Sequence, residues 1–253
     1  MEYQDLFEGL DLVWDALPRI KEYIRRDLVS SVSEIRKNGD VLARTHVLWD
    51  GRILTEDIEL KPGDATKGQF EVYHQGEKLD QATVIYAGVA LFDDDIQLGK
   101  GVVIEPGALI KGPTRIGDMT EVRQTAYLRG SCLVGRACVV GHATEMKNAV
   151  MLDEAKAGHF AYVGDSILGR DSNLGAGTKL ANLKITSGNI KLKVKDEIIQ
   201  TSLRKFGAIL GDQTQTGCNS VTSPGTVMGP RCLVTPNATV PSGYYPRCSV
   251  IRA

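Results

Sequence analysis

Apolar residues recur at every sixth position through much of the C-terminal part of the chain. The first run is unbroken: Leu98, Ile104, Ile110, Ile116, Val122, Leu128, Val134, Val140, Met146 and Leu152. The repeat returns as Leu168, Leu174 and Leu180, and again as Leu210, Thr216, Thr222, Met228, Val234 and Val240. This period fits neither a helix nor a simple alternating strand, and it is typical of a hexapeptide β-helix. Because three hexads form one triangular coil, we expect residues 18 positions apart to lie above one another.

The fifth position of each hexad is small, which predicts a second set of interior residues. Its members are Val102, Ala108, Thr114, Thr120, Ala126, Cys132, Cys138, Thr144 and Val150, followed by Ser172, Thr178, Thr214, Ser220, Thr226, Cys232 and Ala238. Three of the five cysteines therefore read as buried fillers of the core. Cys218 falls at a different position of its hexad and needs another explanation.

The N-terminal part of the chain does not follow the six-residue repeat. Apolar residues at three- and four-residue spacing predict a helix over residues 3–37, in which Pro18 introduces a kink or a second start. Residues 41–97 alternate short β runs with turns. We therefore predict two domains, a helical and small β segment over residues 1–97 and the β-helix over residues 98–253.

Two segments interrupt the repeat. Its phase slips between Leu152 and Leu168, around the sequence KAGHFAYVGDS, and a lysine-rich insertion separates Leu180 from Leu210. In repeat proteins, such departures usually map to loops on the functional face. We therefore expect the functional residues to cluster at these two breaks.

Composition and charge exclude several function classes. The net charge of −1 offers no basic surface for nucleic acid, and no apolar run is long enough to cross a membrane. The acidic, amphipathic N-terminus does not resemble a secretory signal. These features predict a cytoplasmic protein that binds neither nucleic acid nor membrane.

Three cations occupy equivalent positions of three hexads. Lys111, Arg129 and Lys147 are 18 residues apart, so they are predicted to form a ladder with rungs one strand spacing, about 4.8 Å, apart. Cations this close repel one another unless an anion or carboxylates lie between them. The spacing thus indicates a phosphate site, and the alternative is that the side chains extend separately into solvent.

Among the four histidines, His159 is the candidate general base. It lies in the first break between Gly158 and Tyr162, and imidazole is the side chain best suited to proton transfer near neutral pH. The alternative is a structural histidine. His142 lies 17 residues earlier, but a catalytic zinc site needs three protein ligands and no third histidine is in phase, so no metal is expected.

The run TEMKNAVMLDEAKAGHFAYVGDSILGRDSNLGAGTKLANLK resembles the acetyltransferase half of the bifunctional enzymes that make UDP-N-acetylglucosamine. The resemblance covers about residues 98–245, and the motifs RKFGAILGD and TGCNSVTSPGTVMG are similar to the archaeal-type enzymes. It implies a left-handed coil and a homotrimer with active sites between the chains. It also implies acetyl-CoA as co-substrate and glucosamine 1-phosphate as the first candidate acceptor.

The resemblance assigns roles to individual residues. His159 becomes the general base, and the residues implied in substrate binding are Arg129, Lys147, Tyr162, Asn173, Asn182 and Lys191. Ala176 and Cys218 match positions that contact acetyl-CoA. Residues 1–97 are too short for the family's nucleotidylyltransferase domain and lack its glycine-rich loop, so nucleotidyl transfer is not expected, and a separate nucleotidylyltransferase is a possible partner.

These observations predict an N-acetyltransferase of UDP-N-acetylglucosamine biosynthesis that acts on an amino-sugar phosphate. Two alternatives stay open. One is a non-catalytic β-helix that serves as a sugar-phosphate sensor or scaffold. The other is an acyltransferase that uses another acyl-CoA or another amine.

Overall fold

Three parallel sheets form the walls of a β-solenoid in the computed structural model, which describes residues 3–194 and 196–252. Wall 1 contains, in spatial order, Arg52–Leu54, His46–Trp49, Thr83–Ile85, Val103–Ile104, Glu121–Val122, Val139–His142, Lys156–His159, Asn173–Leu174, Gln215–Thr216, Leu233–Val234 and Val250–Ile251. Wall 2 contains Ala90–Leu91, Leu109–Lys111, Tyr127–Arg129, Glu145–Lys147, Tyr162–Gly164, Lys179–Leu180, Val221–Thr222 and Thr239–Val240. Wall 3 contains Ile96–Leu98, Thr114–Ile116, Cys132–Val134, Ala149–Met151, Ile167–Leu168, Ala208–Leu210, Thr226–Met228 and Gly243–Tyr245.

The strand register confirms the parallel β-helix of hexapeptide repeats. Thr114 pairs with Cys132 and Tyr127 pairs with Glu145, which are the 18-residue steps expected of three hexads. Ile104, Ile110 and the other apolar repeat residues up to Met146 form one buried cluster in the interior, with Leu98 packed against its edge. Left-handed coiling stays a prediction from the resemblance.

Two corners of the solenoid, at Asn148 and at Asp165, are one residue shorter than the corners of the preceding coils, and they correct the predicted phase. Lys147 pairs with Gly164, only 17 residues later, because the corner at Asn148 has lost one residue. Met151, and not Leu152 as predicted, therefore points into the interior, while Leu152 faces outward from wall 3. The same shift exchanges the predicted filler Val150 for Ala149. The repeat thus breaks before Leu152.

Short helical turns, and not one continuous helix, form the N-terminal segment. They are the 3₁₀ helices Gln4–Phe7 and Val13–Arg19 and the α-helices Ile20–Arg26 and Ser33–Arg36, with a further 3₁₀ turn at Ala65–Lys67. Gly9, with φ of 68°, separates the first two turns, and Pro18 lies within the second. The predicted apolar stripe is nevertheless buried, because Leu6, Leu17, Ile20 and Ile24 pack against the outer face of wall 3.

The lysine-rich insertion also packs on wall 3. Its antiparallel hairpin consists of Lys191–Val194 and Glu197–Gln200, and Ile190, Leu192 and Phe206 join the N-terminal residues in one cluster. The ring of Phe206 lies 5.8 Å from that of Trp14. The insertion therefore covers the wall that the N-terminal segment covers, and its two ends, at Asn182 and Gly207, border the corner between walls 2 and 3.

The first strands of the solenoid precede the predicted boundary at residue 98. Thr83–Ile85 already pairs in parallel with Val103–Ile104. The antiparallel hairpin His46–Trp49 and Arg52–Leu54 extends wall 1 below it, and a small sheet of Ile58–Lys61, Glu71–His74 and Glu77–Lys78 forms a separate cluster. Within the described residues, none of the helices has the length and apolar character that a membrane crossing requires.

Candidate active site

The corner between walls 1 and 2 presents a column of residues from successive coils. His142 pairs with His159 in the parallel register of wall 1. The N–H of Phe160 donates to the carbonyl of His142 at 2.8 Å, and the N–H of Gly177 donates to the carbonyl of His159 at 3.0 Å. In each of these coils the residue that follows the column residue adopts a left-handed backbone conformation, and its N–H donates to the carbonyl of the column residue in the coil below.

The two residues that the resemblance links to acetyl-CoA belong to the same column as His159. Gly177, whose N–H bonds to His159, directly follows Ala176, and the N–H of Asn219 donates to the carbonyl of Ala176 at 2.8 Å. Cys218 directly precedes Asn219 and is exposed. Ala176 and Cys218 therefore lie one and two coils above His159. A ligand that extends along this corner can contact all three residues.

His159 itself is exposed, whereas its neighbour His142 is half-buried. The ring of Phe160 lies 5.3 Å from the ring of His142 and 6.3 Å from that of His159. Phe160 is 55% exposed despite its aromatic side chain. Nδ1 of His142 is buried and has no hydrogen-bond partner among the described residues, so the imidazole open to a ligand is that of His159.

The cationic ladder of Lys111, Arg129 and Lys147 lies on wall 2, the wall that follows His159 in each coil. Lys111 pairs in register with Arg129, and the pairing of Leu128 with Met146 places Lys147 on the next rung. The interior residues between them point inward, so all three cations face outward. The ladder predicted from the 18-residue spacing is therefore present.

Each of the two upper cations has a carboxylate partner. Nη1 of Arg129 lies 2.6 Å from Oε1 of Glu145, and Nζ of Lys147 lies 3.2 Å from Oδ2 of Asp165. The hydrogen bond that Arg129 donates to Glu145 raises the pKa of the Arg129 guanidinium above its usual value. These pairs relieve the repulsion that the spacing of the cations implies, and an incoming phosphate would share the cations with them.

Asp165 is the centre of this part of the site. It is 5% exposed, and its carboxylate accepts hydrogen bonds from Lys147, from Nδ2 of Asn148 at 2.9 Å and from Nδ2 of Asn182 at 2.5 Å. Its own N–H donates to the carbonyl of Lys147 at 2.9 Å. One buried carboxylate therefore orients a cation and an amide from the coil below it and an amide from the coil above it.

Tyr162 lies on wall 2 between His159 and the Asp165 corner. A Cβ on Gly164 would come within 2.5 Å of the Tyr162 hydroxyl and 2.8 Å of Nδ2 of Asn182, so both side chains lie over the bare backbone of Gly164. Burial raises the pKa of the Tyr162 phenol, and the charges of Glu145 and Asp165 add to this effect. The phenol therefore stays protonated at neutral pH and can donate a hydrogen bond.

The structure groups most of the predicted residues but not all of them. Arg129, Lys147, Tyr162 and Asn182 share wall 2 and its far corner, and His159 lies at the near corner of the same wall. Asn173 instead faces outward on wall 1, paired with Lys156 and Gln215. Lys191 is exposed on the hairpin that packs over wall 3, so within one chain these two residues lie apart from the group.

Sequence reasoning did not find four residues of the group: Glu145, Asn148, Gly164 and Asp165. The sequence could have indicated Asp165. A coil of 17 residues places Gly164 beside Lys147, and Asp165 directly follows Gly164. Across the described part of the chain, no three His, Cys, Asp or Glu side chains converge as they would around a metal ion.

Comparison with known proteins agrees with the resemblance seen in the motifs. A family model described as the GMPPB C-terminal domain matches residues 110–205. A bifunctional sugar-1-phosphate nucleotidylyltransferase/acetyltransferase of Sulfurisphaera tokodaii is 34% identical over 154 residues, which cover 58% of this chain and 38% of that protein. The bifunctional protein GlmU of Stutzerimonas stutzeri is 30% identical over 180 residues, 67% of this chain and 40% of that protein.

The similarity to these bifunctional proteins confirms the resemblance, and it concerns a part of them. The chain spans 38% and 40% of the length of the two relatives. Among solved structures, a UDP-N-acetylglucosamine acyltransferase of Arabidopsis is 14% identical and covers 67% of this chain and 71% of that chain, with a TM-score of 0.25. The fold described above therefore stands on the strand register of this chain and not on that likeness.

Proposed function

We propose that this protein is an acetyl-CoA-dependent N-acetyltransferase that acts on an amino-sugar phosphate, with glucosamine 1-phosphate as the first candidate. One observation carries the proposal. An exposed imidazole, His159, lies at a corner that has the positions assigned to acetyl-CoA in the coils above it and a cationic ladder on the adjoining wall. The names of the relatives support the same reaction class.

The proposed chemistry needs one base and a fixed phosphate. The ammonium of the sugar must become an amine before its nitrogen can attack the thioester carbon. His159 accepts the proton from the attacking nitrogen, a C–N bond forms, the C–S bond breaks and the proton passes to the leaving thiolate. Arg129 and Lys147 hold the phosphate, which aims the amine at the base, and the Tyr162 hydroxyl and Asn182 contact the sugar.

Asn173 and Lys191 are proposed to act on a neighbouring chain. Both face away from the wall 2 group within one chain, although the resemblance assigns them to the substrate. In the homotrimer that the resemblance implies, wall 1 of a second copy would bring its Asn173 toward this group. Each site would then be completed by two chains.

The direct test is release of free thiol from acetyl-CoA in the presence of glucosamine 1-phosphate. We expect thiol release that depends on both substrates, together with a product that carries one acetyl group on nitrogen. The galactosamine isomer and other amino-sugar phosphates form the control series. If no amino-sugar phosphate in the series releases thiol, the enzyme proposal is wrong and a binding role takes its place.

Replacing Gly164 with alanine is expected to raise the KM for the sugar phosphate about tenfold, because the new methyl group displaces the Tyr162 hydroxyl and the Asn182 amide. The KM for acetyl-CoA should stay unchanged. Steady-state rates with each substrate varied in turn provide the measurement. Because the methyl group already displaces the Tyr162 hydroxyl, adding Tyr162→Phe should raise the KM little further, and a purely additive double variant would contradict this explanation.

A further inference from the structure

The lowest rung of the cationic ladder has no role in the proposed reaction. Lys111 lies directly below Arg129 in the register of wall 2 and is half-buried. Arg129 and Lys147 each have a carboxylate partner, whereas Nζ of Lys111 has no carboxylate within 4.0 Å in residues 3–194 and 196–252. The nearest corner offers Asp93, whose Oδ2 accepts the N–H of Gly112 at 2.9 Å.

An exposed aromatic ring continues the ladder below Lys111. The N–H of Phe92 donates to the carbonyl of Ile110 at 3.0 Å, which places Phe92 one rung under Lys111. Phe92 is 43% exposed, although large apolar side chains on this solenoid mostly point inward. Nζ of Lys111 lies 5.6 Å from the centre of the Phe92 ring. An aromatic face and a cation therefore lie side by side on an open surface.

Charge balance along the ladder favours an anion at its lower end. The carboxylates of Glu145 and Asp165 compensate the two upper cations, so a phosphate there must compete with them. Among the described residues Lys111 has no carboxylate within 4.0 Å, and the nearby carboxylate of Asp93 accepts the N–H of Gly112. A second phosphoryl group would be attracted to this position more strongly than to Lys147.

We propose that wall 2 below Lys147 binds a nucleoside diphosphate, so that the substrate is a nucleotide-linked amino sugar. Arg129 and Lys147 hold the sugar-linked phosphate, Lys111 contacts the second phosphate, and the base stacks on Phe92. From Lys147 to Phe92 the ladder descends three rungs, about 14 Å, which an extended nucleoside diphosphate can span. The inference rests on the proposed function, since it assumes that the amino group of the same molecule reaches His159.

Coenzyme A also contains a nucleoside diphosphate, so two sources of this group must be distinguished. Ala176 and Cys218 lie in the coils above His159, whereas Lys111 and Phe92 lie in coils below it. One acetyl-CoA molecule that contacts Ala176 and Cys218 extends away from Lys111. We therefore assign the lower site to the sugar substrate.

The test compares two acceptors, UDP-glucosamine and glucosamine 1-phosphate, for the parent protein and the variants Lys111→Met and Phe92→Ala. We expect Lys111→Met to raise the KM for UDP-glucosamine about tenfold and Phe92→Ala about fivefold. The KM values for glucosamine 1-phosphate and acetyl-CoA should change by less than about twofold. Lys21→Met, an equal charge change on an exposed helix of the N-terminal segment, is the matched control and should alter none of them.

If Lys111→Met raises the KM for both sugar substrates equally, the inference is wrong. If it raises only the KM for acetyl-CoA, the inference is also wrong, and Lys111 contacts coenzyme A instead. Calorimetric titration of UDP into each protein gives a readout that needs no turnover. UDP binding that depends on Lys111 and Phe92, without acetylation of any amino sugar, would refute the proposed reaction and keep the nucleotide site. Acetylation of glucosamine 1-phosphate together with UDP binding that ignores both residues would refute the nucleotide site alone.

Discussion

Replacing His159 with alanine is expected to lower kcat for N-acetylation by a factor of about 10² to 10⁴, the usual contribution of a positioned general base. His159 is exposed at its corner, and its backbone carbonyl, which binds Gly177, survives the replacement. The fold should therefore persist and both KM values should change little. Initial rates of thiol release, measured at saturating acetyl-CoA, provide the comparison.

His142→Ala is the matched control for this prediction, because it removes an imidazole one rung below on the same wall. Its kcat should stay within about tenfold of the parent value, since the ring of His142 is half-buried and its Nδ1 is buried. A second control, His74→Ala on the small sheet, should change nothing. If His142→Ala loses the activity and His159→Ala keeps it, the assignment of the base is wrong.

Replacing Asp165 with alanine is expected to reduce the free energy of unfolding by about 2 to 4 kcal/mol. The change leaves the Lys147 ammonium and the amides of Asn148 and Asn182 without their common acceptor. The ammonium is partly open to water, which keeps the expected cost below that of a fully buried ion pair. Urea denaturation measures the loss.

The same substitution should also lower kcat/KM for the sugar phosphate at least tenfold, because Lys147 and Asn182 lose their orientation. Asp165→Asn preserves the shape of the side chain but not its charge, so its defects should be intermediate. Asp171→Ala is the matched control. Asp171 is exposed and has φ of 52°, close to the 44° of Asp165, so both variants carry the same cost of placing alanine in a left-handed conformation.

Denaturation midpoints that agree for Asp165→Ala and Asp171→Ala would show that the buried carboxylate contributes nothing beyond its backbone conformation. A normal kcat/KM in a destabilised Asp165→Ala variant would separate stability from substrate binding. In that case Lys147 does not need Asp165 in order to hold the phosphate.

The hydrophobic period was enough to predict the interior of the solenoid up to Met146. Apolar side chains six residues apart can all point into one interior only if the chain turns a corner after each short strand. The six-residue period therefore already predicts the coiled fold. The same reasoning failed at Leu152. A corner that is shorter by one residue leaves the pattern of apolar residues in the sequence almost unchanged. It nevertheless makes Met151, and not Leu152, the residue that points into the interior.

The N-terminal segment illustrates a second limit. Its apolar stripe predicted which residues would be buried, and Leu6, Leu17, Ile20 and Ile24 are. It did not predict the break between the first two turns, because helical spacing alone does not reveal that the backbone leaves the helical conformation at Gly9. The stripe also carries no information about its partner, which is wall 3 and part of the insertion.

The insertion shows that a break in a repeat need not lie at the functional surface. Most of the lysine-rich segment packs over wall 3, while Asn182 at its start and Gly207 at its end donate hydrogen bonds to Asp165. Its buried residues, such as Phe206, are dispersed among polar ones, so the sequence does not separate a covering hairpin from a loop over a site.

The sequence by itself determined the coil, the outward ladder of cations and the position of the histidine at a break, because each of these follows from a fixed number of residues per coil. Only the tertiary structure decided which carboxylates meet those cations. Contacts such as Lys147 with Asp165 join different coils through corners of variable length, and one residue more or less at a corner reassigns every neighbour above it.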